Sequence, residues 1–176
     1  MSKYKISKFG LKERLKLIKW EKEYKEKMHT DYEYRSSLLY VAPMGIFDKL
    51  SSIIKTPNDK AYVLYDEDSK LAGWLVYNIV KKNNENIMYI KSLFIHPSKQ
   101  NKGLGKAFVK CVATKENDKK QCINFIEVLV DYENKKGVFF FDRLNPVDKR
   151  SAGNDFYKYR FDFKSILINL NKQNKK

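Results

Sequence analysis

The sequence predicts an α/β chain in which strands outnumber helices, built around one strand–loop–helix unit. Three observations predict it. Segments with a period of two, or rich in β-branched and aromatic residues, recur through the C-terminal two-thirds of the chain. The stretch Ile87–Ala113 passes from such a run, through the loop Gln100-Asn101-Lys102-Gly103-Leu104-Gly105, into a helical pattern at Leu104, Phe108, Cys111 and Val112. The length of 176 residues and hydrophobic content of 43% suit one domain, expected to span 1–176 and to bury roughly 70% of its unfolded surface.

The elements follow in order. Lys3 to Phe9 alternates, with Tyr4 and Ile6 on one face, and predicts a short first strand. Leu11, Leu15, Ile18 and Tyr24 recur at helical spacing and predict an amphipathic helix over 10–28. A second helix is predicted over 44–54, ended by Thr56-Pro57-Asn58. Residues 61–65 and 71–81 are predicted strands joined by the polar hairpin Asp66 to Lys70. Asn83-Asn84-Glu85-Asn86 turns the chain into the central strand, which ends near Ile95 because His96-Pro97-Ser98 breaks it. Gly73 reads as a site of close strand packing.

After the helix that starts at Leu104, Lys115 to Gln121 reads as a polar break and Ile123 to Val130 as a strand. Tyr157, Tyr159, Phe161 and Phe163 alternate with Lys158, Arg160 and Asp162, which predicts a strand. Ile166 to Leu170 is expected to be the last strand, followed by a frayed lysine-rich tail.

Composition excludes some classes. No run approaches the ~18 apolar residues of a membrane span, and Met1-Ser2-Lys3-Tyr4-Lys5 lacks an apolar signal core, so a cytoplasmic protein is expected. Cys111 and Cys122 have no metal-ligand spacing, and no metal site is expected. The formal charge is +15. Lysines spread along the whole chain read first as a solvated surface, but their charge favours anionic ligands and admits nucleic acid as an alternative partner.

A strand, a glycine loop and a helix start in that order make an anion site. The first helical N–H groups lack acceptors, and the helix dipole adds positive charge there. Lys106 is followed by Ala107, which rules out a P-loop, and the third glycine of a dinucleotide fingerprint is missing. The string from Gln100 to Ala107, preceded by Leu93-Phe94-Ile95-His96-Pro97, instead resembles motif A of the GNAT superfamily of acetyl-CoA-dependent N-acetyltransferases. Asp131 to Leu144 resembles that family's motif B region: Asn134, Gly137, Phe140 and Phe141 stand where the family shows Asn, a small residue, and a Phe-Tyr pair. Phe141 thus takes the place of the family's tyrosine, and Asn145-Pro146 that of its usual Gly-Phe. The resemblance covers residues 60–145 by motif and the remainder by element order.

The resemblance implies a GNAT fold: an α/β (α+β) architecture with a mixed, mostly antiparallel sheet of about six to seven strands flanked by about four helices. It implies acetyl-CoA as cosubstrate. Leu93, Phe94 and Ile95 would pair with the pantetheine arm, and Gln100, Asn101, Lys102, Gly103, Leu104, Gly105 and Lys106 would hold the pyrophosphate, with Asn134 and Phe141 beside the cofactor. An N–H near Ile95 would polarise the thioester carbonyl, a type of donor whose loss costs about 2.7–4 kcal/mol. Tyr89 stands where some members carry a catalytic glutamate, and Glu127, Asp131 and Glu85 are the other carboxylates nearby. Glu127 joins Tyr89, Ile95 and Phe141 as a candidate catalytic residue, the base itself is left open among these carboxylates, and a water chain could serve instead.

The function expected from the resemblance is acetyl transfer to a primary amine of a small molecule or protein, by a monomer or homodimer and without a membrane. A catalytically weak coenzyme A-binding module and an acetyltransferase directed at aminoacyl-tRNA are the alternatives.

Overall fold

The computed structural model describes residues 4–8 and 59–172. The helices expected over 10–28 and 44–54 lie outside the described residues. Seven strands form one sheet: β1 (Lys5–Lys8), β2 (Lys60–Tyr65), β3 (Leu71–Lys82), β4 (Glu85–Ile95), β5 (Ile123–Asp131), β6 (Asp148–Ala152) and β7 (Phe156–Asp162). Their order is β1-β2-β3-β4-β5-β7-β6. Every neighbouring pair is antiparallel except β4–β5, which is parallel. The expected mixed, mostly antiparallel sheet is therefore what forms. Among the described residues, three α-helices accompany it: α1 (Leu104–Glu116), α2 (Lys135–Asp142) and α3 (Phe163–Lys172).

Local sequence explains the connections. Asn83 and Asn84 both have positive φ (50° and 62°), as a two-residue hairpin turn matched to strand twist requires. Between β2 and β3, Asp66 accepts from the Lys70 N–H through its side chain at 2.9 Å and from the Ser69 N–H through its carbonyl at 3.0 Å. At Gly73 a Cβ would stand 2.5 Å from the Phe94 carbonyl oxygen, so β3 and β4 approach there only because the side chain is absent.

The core lies on one face of the sheet. Leu75 and Tyr77 of β3, Met88, Ile90, Leu93 and Ile95 of β4, and Ile126, Val128 and Val130 of β5 pack with Phe108 and Val112 of α1, Phe141 of α2 and Ile166 of α3. The opposite face carries Val63, Trp74, Val76 and Phe94, all buried, with Trp74 stacked on Phe94 at 4.3 Å.

Two expectations are corrected, and one strand was not foreseen. Ile166 to Leu170 is helix, within α3, rather than a last strand. Phe163, Ile166 and Leu167 share a face at helical spacing against the core, and the Asp162 carboxylate caps the helix by accepting from the Ser165 N–H at 2.7 Å. The seventh strand is instead β6, whose sequence Asp-Lys-Arg-Ser-Ala carries no apolar alternation because it is an edge strand facing solvent. Lys115 to Gln121 is not a plain break: α1 runs through Glu116 and continues as a π-helical turn, Asn117–Gln121.

Glu116 ties the end of α1 to β2. Its side chain is 1% exposed, and it accepts from Lys60 Nζ at 3.1 Å, from the Tyr62 hydroxyl at 3.0 Å, and from Lys119. Burial alone raises a carboxylate's pKa, yet here the hydrogen bonds from Lys119, Lys60 and Tyr62 win and hold it at about 2. The unfolded chain, with this group near 4.5, binds the extra proton first. The stabilisation is therefore complete above that value and is lost as pH falls toward about 2.

Glu116→Gln should destabilise the fold at pH 7 by roughly 3 kcal/mol, the low end for a broken buried pair because Lys60 and Lys119 keep contact with water. For a chain this long that is a fall of roughly 6–12 °C in Tm. Thermal unfolding across a pH series should also show a shallower acid limb in the variant. An unchanged limb would mean the carboxylate is not ion-paired in the folded state.

Candidate functional site

The parallel ladder between β4 and β5 runs from Asn86↔Ile123 to Ile90↔Val128 and stops there. Directly above that last rung, Val76 pairs with Ser92 and Tyr77 with Ile90, so Lys91 is an extra residue on β4, a bulge. A bulge bends its strand and ends pairing on the affected edge. Above it β4 keeps its partners on β3, from Val76↔Ser92 to Gly73↔Ile95, while β5 keeps its partners on β7 through Asp131↔Phe156. The two strands therefore diverge, and their facing edges carry backbone groups with no ladder partner among the described residues.

Backbone direction follows from one bond. The His96 N–H donates to the Ala72 carbonyl on β3 at 2.8 Å. Successive residues of a strand turn their polar groups to opposite edges, so Ile95 and Leu93 present theirs to the gap and Phe94 presents its own to β3. The Ile95 carbonyl in the gap accepts from Gln100 Nε2 at 2.9 Å, which leaves the Ile95 N–H as the donor at the top of β4.

The helix that follows leaves backbone donors at its start. Gly103 caps α1 with φ 69° and provides no side-chain hydrogen bond. The first intrahelical bond runs from the Ala107 N–H to the Gly103 carbonyl, so the N–H groups of Leu104, Gly105 and Lys106 have no acceptor inside the helix. Gly105 has a different reason: a Cβ would meet Phe140 Cε2 at 3.2 Å and Ile95 Cγ1 at 3.6 Å.

These parts line one cleft of about 550 Å³, formed by Ile95 and the 100–106 loop on one side and by α2 and the residues after it on the other. From α2 onward the lining is Lys135, Phe139 and Arg143, and Lys136, Phe140 and Leu144. Each set is spaced by four residues, which puts it in one row along the helix. Among the described residues, Lys106, Lys135, Lys136 and Arg143 give the cleft four cations and no carboxylate. Burial, and then the charge of Arg143, lower the pKa of Lys106; a bound phosphate would oppose the second effect. Arg143 also lies over the exposed ring of Phe139 at 5.2 Å.

The sequence-derived residues fall into two groups. Ile95, Gln100, Asn101, Gly103, Leu104, Gly105 and Lys106 line the cleft. Leu93 and Phe94 border the gap with buried side chains, and Lys102 is exposed on the loop, with Nζ 3.4 Å from the Ser98 carbonyl. Asn134 caps α2 by accepting from the Gly137 N–H at 2.8 Å, while its Nδ2 is buried with no hydrogen-bond partner among the described residues.

The catalytic candidates other than Ile95 stand elsewhere. Phe141 is 1% exposed in the core, against Phe140, Tyr159 and Phe161, and the cleft-facing ring is that of Phe140. Tyr89 and Glu127 are register partners one rung below the last pair. Glu127 is buried with Lys158 Nζ at 2.7 Å on one oxygen and Arg160 at 3.4 Å on the other, so both oxygens serve an ion-pair cluster. Arg160 also holds Glu85. Lys135, Lys136, Phe139, Arg143 and Leu144 were missed as site residues; their four-residue spacing beside Asn134 was the available signal.

Residues 14–145 match a family model described as the acetyltransferase (GNAT) family. Among solved structures the fold is similar to spermidine N-acetyltransferase from Vibrio cholerae in complex with CoA and spermine, with TM-score 0.63 and 15% identity over 95% of this chain and 99% of that one. It is also similar to an aminoglycoside N(6′)-acetyltransferase from Legionella pneumophila, with TM-score 0.68 and 9% identity over 95% and 96%. A third is the PaiA N-acetyltransferase from Thermoplasma acidophilum in complex with coenzyme A, with TM-score 0.60 and 18% identity over 90% and 98%. At these identities the likeness concerns the fold. No curated protein matches the sequence significantly.

Gly103→Ala meets nothing within 4 Å but must hold φ at +69°, which costs an L-residue about 1–2 kcal/mol. Thermal denaturation should show a fall of roughly 2–8 °C. An unchanged Tm would show that the turn does not depend on a left-handed residue.

Proposed function

Since the chain belongs to the acetyltransferase (GNAT) family, we propose that it transfers the acetyl group of acetyl-CoA to a primary amine, with residues 1–176 acting as one catalytic domain. The observation that carries the proposal is that the gap above the Ile90↔Val128 rung opens at the same end of the sheet as the uncapped start of α1. A thin ligand with a polyanionic head fits that pair of features. The thioester supplies an acetyl group already activated for transfer.

This chain's residues would do the rest. The N–H groups of Leu104, Gly105 and Lys106 and the cations Lys106, Lys135, Lys136 and Arg143 would hold the phosphates. The gap-facing polar groups of Leu93 and Ile95 would pair with the pantetheine amides, as a strand pairs with an edge. The buried Nδ2 of Asn134 is an orphan donor that a pantetheine carbonyl would satisfy; left unmet it costs about 1–3 kcal/mol. The Ile95 N–H would donate to the acetyl carbonyl, where negative charge develops during attack.

The proposal leaves out part of the expected machinery. Phe141 packs in the core and offers no proton to the departing sulfur. A thiol with a pKa near ~8.5 leaves as thiolate near neutral pH without one. Glu127, held by Lys158 and Arg160, is not proposed as the base, and Tyr89 beside it is not proposed either. Among the described residues no helix is long and apolar enough to cross a membrane. The proposal includes a cytoplasmic setting, in which Cys111 and Cys122, both free, stay reduced.

Acetyl-CoA should raise the Tm of the protein, by the equivalent of ~2.7 kcal/mol at 100 times its Kd, and thiol release with a panel of primary amines should exceed release without them. Gly105→Val, which pushes on Phe140, should abolish the shift. A shift with no amine-dependent release would leave a coenzyme A-binding module, and no shift at all would overturn the proposal.

A further inference from the structure

We infer that Asp131 is the carboxylate that receives the acceptor amine, at the mouth of the gap on the sheet face opposite the cationic cleft. The inference rests on the acetyltransferase reading above.

Register sets its height. Above the Ile90↔Val128 rung, β4 contributes Lys91 to Ile95 and β5 contributes Leu129 to Asp131. The bulge absorbs Lys91, so Asp131 stands level with Phe94 across the gap, one residue short of the Ile95 N–H. Alternation sets its face. Ile126, Val128 and Val130 belong to the helix-side core, so Leu129 and Asp131 project to the other side. On β4 the residues facing that side are Ser92 and Phe94: Trp74 donates from Nε1 to Ser92 Oγ at 3.0 Å and stacks on Phe94. Of the four side chains along the two lips on this face, Asp131 alone is ionisable.

Its bonding leaves it half committed. Asp131 Oδ1 accepts from the Glu133 N–H at 2.8 Å, which fixes the carboxylate at the start of the turn into α2. No described residue meets the second oxygen. The neighbouring carboxylates are taken: Glu127 by Lys158 and Arg160, and Glu85 by Arg160. Charge separates the two substrates as well. The cleft side is taken by the four cations and the phosphates they would hold, so the opposite face, where this carboxylate stands, is the one left to a protonated amine.

A primary amine enters largely as ammonium, given a reference pKa of ~10.4. Paired with Asp131, it loses one proton to solvent by way of the carboxylate. The freed lone pair forms the C–N bond, the C–S bond breaks, and sulfur leaves as thiolate. The second nitrogen proton then passes to the Asp131 oxygen and on to water.

The test is Asp131→Asn, because an asparagine Oδ1 still accepts from the Glu133 N–H and keeps the turn, while the charge is gone. Spermidine, an aminoglycoside and a peptide with a free lysine serve as acceptors, and the best of them is used for kinetics. The expected result is a loss of 30-fold or more in kcat/KM for the amine, partly recovered by Asp131→Glu, with Tm and its acetyl-CoA shift unchanged. A kcat/KM within two-fold of the unaltered protein overturns the inference alone. A lowered Tm or a lost shift in the asparagine variant assigns Asp131 to structure and also overturns it. Absence of the acetyl-CoA shift in the unaltered protein removes the acetyltransferase reading, and this inference with it.

Discussion

The structure depends on a parallel ladder that stops early. Backbone N–H and C=O groups buried without partners are costly, yet above Ile90↔Val128 two strand edges face one another with no ladder pairing among the described residues. The bulge at Lys91 enforces this. It shifts β4 by one residue relative to β3 and turns it away from β5. The close approach at Gly73, where a Cβ would strike the Phe94 carbonyl, then clamps the diverging end of β4 to β3. The gap is a maintained feature of the sheet, held on its outer edges by antiparallel neighbours.

Electrostatics gives the gap two ends of different character. The +15 formal charge is spread over the sequence, but folding gathers Lys106, Lys135, Lys136 and Arg143 around the start of α1. On the other sheet face, carboxylates and cations are interleaved: Glu127 and Glu85 with Lys158 and Arg160, and Asp131 at the edge of the gap. A polyanion and a cation can therefore approach the same opening from opposite sides without competing for one field.

Much of this was legible in the sequence where side-chain period and burial coincide. The strands β2 to β5, the Asp66–Lys70 hairpin and the 100–105 loop follow apolar alternation and turn chemistry, and the family resemblance added the expected pairing of Leu93 to Ile95 with the pantetheine arm. What was not legible depends on tertiary partners. The edge strand β6 has no buried face to imprint a period on Asp148–Ala152. Ile166 and Leu167 fit either a short strand or a helix by apolarity, and the Asp162 cap decides for the helix. Phe140 and Phe141 are adjacent and chemically identical. Only the packing of α2 shows that Phe141 enters the core while Phe140 faces Gly105. The ion pairs that occupy Glu127 come from β7, more than thirty residues further along the chain.

The central claim, that the exposed edge of β4 is completed by the pantetheine arm, is tested most directly by amide hydrogen exchange at single-residue resolution with and without coenzyme A. The gap-facing amides of Leu93 and Ile95 should exchange faster than that of Phe94 in the free protein. They should slow by at least ten-fold on binding, while Phe94, already paired with β3, changes little. If coenzyme A raises the Tm but leaves the exchange of Leu93 and Ile95 unchanged, the ligand does not complete this strand edge and the account is wrong.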